Sequence, residues 1–151
     1  MRTITPITSV LLMILPALTF AQEGAPGGGL PRTPAPGGAI TYLLSPEDGA
    51  QIASPVTVRF GLRGMGVAPA GVTAPNTGHH HLLIDVDELP PDGLPLPATD
   101  QIRHFGLGQT ETVLELPPGR HTLQLVLGDA LHIPHDPPIR SEKITITVAA
   151  E

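Results

Sequence analysis

Between Ile40 and Val148 apolar and polar residues alternate in short runs, the period-two signature of β-strands with one face buried. The clearest run, Val56 to Leu62, sets Val56, Val58, Phe60 and Leu62 on one face against Thr57, Arg59 and Gly61 on the other. Arg120 to Gly128 turns Leu123, Leu125 and Leu127 inward, and Lys143 to Val148 does the same with Ile144, Ile146 and Val148. Ile40 to Leu44, His79 to Val86, Ile102 to Phe105 and Thr110 to Leu116 complete a set of seven predicted strands. Turns at Glu47-Asp48-Gly49 and Pro117-Pro118-Gly119 punctuate them. Seven short strands in roughly a hundred residues predict an all-β chain, an immunoglobulin-like β-sandwich over residues 39–150.

The N-terminal residues follow a different pattern. Arg2 precedes the apolar run Val10 to Leu15, and Thr19 and Ala21 frame a cleavage position, so residues 1–21 read as a secretory signal peptide. That places the mature protein in the periplasm or outside the cell. Residues 22–38, QEGAPGGGLPRTPAPGG, offer nothing to bury and read as a flexible, disordered Pro/Gly-rich linker. With no further apolar stretch of spanning length, the mature chain is expected to have no membrane span.

Composition narrows the function classes. Nineteen prolines and seventeen glycines weigh against long helices, and four aromatic rings leave the core to Leu, Ile and Val. A net charge of −6 without any basic run argues against nucleic acid or an anionic membrane surface as partner. The absence of cysteine excludes disulfides and thiolate metal sites.

The candidate chemistry lies in the histidines. His79, His80 and His81 stand together at the start of the third strand, and the chain has only seven histidines in all. On a strand His79 and His81 share a face with α-carbons roughly 7 Å apart, a reach that suits two imidazoles on one ion. His80 points with Leu82 and Ile84 towards the core, either as a further ligand or as a packing residue. In an immunoglobulin-like topology the third strand pairs antiparallel with the sixth, and the fifth hairpins into the sixth. His132 and His135, in the loop after the sixth strand, and His104, just before the fifth, then fall at the same pole as the triplet. Six histidines are thereby expected at one end, with His121 at the other as a structural ring bonded back to the backbone. Asp129 and Asp136 are candidates to accept the second N–H of a ligating histidine, or else are turn residues. The long loop Arg63 to Gly78 carries Met65, a candidate thioether ligand or a gap filler.

Imidazole ligation fits copper or zinc, with copper favoured by intrinsic affinity, and is foreign to calcium and magnesium. The leading expectation is an exported metal-binding module for copper or zinc storage or delivery, with the question of catalysis left open and a binding role favoured over an enzymatic one. The alternatives are a non-catalytic envelope module that binds a protein or glycan, and a copper enzyme of the superoxide dismutase type. No nucleophile triad or phosphate loop is visible.

The phrases GHHHLLID, LPPGRHTLQLVLGD and HIPHDPPIRSEKITITV, with the stretch from Ser45 to Asp85, resemble a bacterial exported family known as domain of unknown function 4399. The resemblance spans Ile40 to Val148. It implies an exported β-rich domain and carries no activity with it. Relatives bear an Asn-His pair where this chain has Ala130-Leu131 before His132, which removes a polar group from that loop.

Overall fold

The alternation is realised as nine strands: β1 (Ile40–Ser45), β2 (Gln51–Ile52), β3 (Val56–Arg63), β4 (Gly66–Val67), β5 (Thr77–Ile84), β6 (Ile102–His104), β7 (Glu111–Leu114), β8 (Gly119–Gly128) and β9 (Ile144–Val148). These come from a computed structural model that describes residues 29–150. The expected signal peptide and the first part of the expected linker lie outside the described residues. All seven predicted strands are present, with ends within two residues of their expected positions. The two additions, β2 and β4, are two-residue segments that pair in parallel with β9 and β5.

The strands form two sheets. One has the order β1-β3-β7; the other runs β2-β9-β8-β5-β4, with β6 pairing β5 as well. This is the partition of an immunoglobulin-like β-sandwich, in which the first, second and fifth main strands face the third, sixth and seventh. One connection differs from expectation. β7 pairs with β3, Val56 opposite Leu114, so Pro117 and Pro118 carry the chain from one sheet to the other instead of closing a hairpin. Among the described residues no helix is long and apolar enough to cross a membrane.

The sheets enclose a core of Val58, Phe60, Leu82, Leu114, Leu125 and Ile146, among others, each almost fully buried. Burying one such side chain contributes about 1.5–3 kcal/mol. The larger sheet is covered on its other face too. There Leu83, Ile102 and Val126 pack with Leu96, and Val86 and Leu89 close over them, so the chain between β5 and β6 roofs this surface. β5 is therefore buried on both faces, which is why three consecutive histidines in it are each at most 1% exposed.

The end of the expected linker is not a free tether. Residues 29–36 form a strap that starts against Gly93 and then lies along the 129–136 segment. Ala35 N–H donates to Asp136 O, Asp136 N–H donates to Thr33 O, and Leu30 N–H donates to Gly93 O. Arg32 donates to the carbonyls of Pro134 and His135 and pairs with Asp92 and Asp136. A single arginine with several acceptors fixes a segment whose composition offers little apolar surface.

Candidate metal centre

The strand period decides where each histidine of the triplet goes. His80 sits opposite Leu127 and points into the core between the sheets, its ring 5.3 Å from that of Phe60. His79 and His81 point the other way, onto the roofed face of the larger sheet. There β6 supplies a third ring, because His104 pairs directly with His81. The fourth descends from the turn after β8. His132 takes a left-handed backbone (φ 66°), its N–H donates to Asp129 O, and its carbonyl accepts from Leu96 N–H.

The four rings form one cluster. One ring nitrogen from each of His79, His81, His104 and His132 lies within 4.8 Å of the other three. All six pairs of ring centres are 4.7–5.9 Å apart. His79 Nε2 and His132 Nδ1 are 3.0 Å apart and share one hydrogen bond. Among the described residues, Nδ1 of His79 and both nitrogens of His81 are buried without a hydrogen-bond partner. Buried polar atoms are rarely left so, and four converging imidazoles with unpartnered nitrogens among them are a donor set that a cation can complete.

Burial also sets the charge state. Removal from water, reinforced by the neighbouring imidazoles, lowers the pKa of His79 to about 4, although the Asp129 charge opposes this. The same causes bring His81 to about 3 and lower His104. His79, His81 and His104 are thus biased towards the neutral form, the one that gives a lone pair to a metal.

Two glycines make the cluster possible. A Cβ on Gly128 would stand 2.7 Å from Cε1 of His81, and one on Gly106 would stand 2.2 Å from Cε1 of His104. The period-two pattern gave no hint of either, since an apolar-to-glycine change at a strand end reads only as a terminus.

The remaining candidates lie elsewhere. His80, on the opposite face, has neither nitrogen in a well-formed hydrogen bond; burial lowers its pKa to about 4, offset in part by the carbonyls of Gly61 and Gln109. His135 is fully buried but is not part of the cluster. The segment 134–141 runs along the β9 side of β8, and His135 Nδ1 faces Leu127 O at 3.4 Å there. The Asp129 carboxylate makes no hydrogen bond to a histidine ring. Its Oδ1 accepts from the N–H groups of Leu131 and Ile133, and its Oδ2 accepts from the Thr33 hydroxyl, so it shapes the turn that presents His132. Asp136 is exposed and pairs with Arg32. Met65 is half-buried in the turn between β3 and β4, just before Gly66 pairs with Thr77. The convergence at a pole of the sandwich is replaced by convergence of four rings on a sheet face. His121 has the structural place expected of it, with Nδ1 on Asp85 at 2.7 Å and Nε2 on Pro117 O at 2.9 Å.

Fold and site together define a β-sandwich with a four-imidazole cluster under a loop roof. The chain belongs to the family described as Domain of unknown function (DUF4399), whose model matches residues 58–149. The match takes in all four histidines of the cluster and leaves out β1, β2 and the strap. No curated protein and no solved structure matches the chain.

Proposed function

We propose that this protein is a metal-binding module that holds one copper or zinc ion through His79, His81, His104 and His132, and that it stores or delivers that ion outside the cytoplasm. The observation that carries the reading is the mutual approach of four imidazoles from three separate chain segments, spanning Thr77–Ile84, Ile102–His104 and the turn at His132. Such convergence is costly without an ion, because unpartnered buried nitrogens have lost their water. Four imidazoles occupy every position of a four-coordinate ion, whereas catalytic sites keep one open for water or substrate. Binding and release, not turnover, is the chemistry that this donor set supports. His104 is exposed, and it gives the ion a way in and out from solvent.

Calorimetric titration of the metal-free chain with Cu²⁺ and Zn²⁺ tests the reading. One ion per chain is expected, with binding lost in His79→Ala and His81→Ala. Affinity no tighter than that of an unstructured peptide of matched histidine content would refute it.

A further inference from the structure

The spacing of the rings narrows the choice of ion, an inference that rests on the metal-binding reading above. In a square plane of imidazoles, any three ring centres make a right triangle whose long side exceeds the others by about two-fifths; in a tetrahedron they make an equilateral one. The three rings mounted on the sheet, His79, His81 and His104, are separated by 4.8, 5.0 and 5.1 Å. His132 caps this triangle at 5.0, 5.9 and 4.7 Å from the same three rings. With metal–nitrogen bonds of about 2.0–2.1 Å, four tetrahedral imidazoles place their ring centres about 5 Å apart.

The geometry has a plain origin. Two rings two residues apart on β5 and one ring directly across on β6 form a layer, and the fourth can only come from above that layer, on the turn held by Asp129.

We infer that the cluster is a tetrahedral zinc(II) centre and not a tetragonal copper(II) one. Zinc(II) has a filled d shell and takes imidazoles tetrahedrally, whereas copper(II) seeks a flattened arrangement and copper(I) prefers sulfur, which the four rings do not supply.

The test uses the full chain, freed of metal and titrated with Co²⁺ as a spectroscopic substitute for zinc. Intense visible d–d bands of tetrahedral cobalt are expected, saturating at one ion per chain and bleached by an equal amount of Zn²⁺. His104→Ala, which removes an exposed ring at no risk to the fold, is expected to dim those bands and weaken binding by roughly tenfold or more. The pale spectrum of six-coordinate cobalt would overturn the inference. So would Cu²⁺ bound with the wide parallel hyperfine splitting of a square-planar tetra-imidazole complex; either result leaves metal binding itself in place. Failure of Co²⁺, Zn²⁺ and Cu²⁺ alike to bind would remove both readings.

Discussion

Gly106 and Gly128 are as much a part of the cluster as the imidazoles that lie over them, and they separate affinity from stability. Neither has a left-handed φ, so alanine there acts by bulk alone. In Gly106→Ala the added methyl displaces the ring of His104, which is exposed and free to swing away. The melting temperature is expected to change little, by the equivalent of about 0.5 kcal/mol or less, while calorimetry shows weakened metal binding. In Gly128→Ala the obstacle is the buried ring of His81, which has nowhere to go, and overpacking is expected to cost about 1–3 kcal/mol in denaturant melts. The buried imidazoles also set a pH dependence. His79 and His80 titrate at about 4 and His81 at about 3 in the folded chain, against 6.5 unfolded. Between those values the unfolded chain holds more protons, so the metal-free protein loses stability as pH falls from 6.5 towards 4. Three such groups give a slope of up to about 4 kcal/mol per pH unit, readable from urea midpoints across that range. His121 acts in the opposite sense. Burial alone would lower its pKa, but the hydrogen bonds to Asp85 and Pro117 raise it, so its contribution is present below 6.5 and lost as pH rises through the raised value.

At the scale of elements, the 129–133 turn is the part that makes a cluster out of three rings on a sheet. Asp129 closes it with two backbone hydrogen bonds, and Thr33 of the strap donates to the other oxygen of the same carboxylate. Asp129→Ala would leave the buried Ile133 N–H without an acceptor, while the exposed Leu131 N–H turns to water, and is expected to cost about 1–3 kcal/mol and to cut metal affinity through His132. Thr33→Val removes only the strap's hydrogen bond, with an expected loss of about 1 kcal/mol and a smaller loss of affinity, both measurable on the same two instruments. The strands, the opposed faces of His80 and of His79 with His81, and the β5–β8 pairing were legible because a period of two is a local property of sequence. The place of His104 was not, because the pairing of His104 with His81 is a matter of register, which nothing adjacent to either residue specifies. His135 was misleading for a related reason. It stands three residues from His132, but the chain crosses between them to the β9 side of β8, and short sequence distance does not survive such a crossing. The strap was hidden by its composition: proline and glycine announce a linker, while Arg32, the Thr33 hydroxyl and a few backbone hydrogen bonds dock it.

For the whole molecule, metal binding and folding are expected to be linked. The ligands come from β5, β6 and the turn after β8, so the site exists only in the folded chain, and an ion at 100 times its dissociation constant stabilises by about 2.7 kcal/mol. For a domain of this size that amounts to a rise of about 10 °C in melting temperature, reversed by chelator and absent in His81→Ala. On the proposed reading the roofed outer face of the larger sheet, and not a loop pole, is the functional surface of the sandwich, and β5, buried on both faces, serves a core and a site at once. The most direct measurement is an anomalous-difference map from crystals of the zinc-loaded protein at the zinc edge. One peak is expected, bonded to a ring nitrogen of each of His79, His81, His104 and His132. A map empty at that point, or with its peaks only on exposed side chains away from the four rings, would contradict the claim that these residues share one ion.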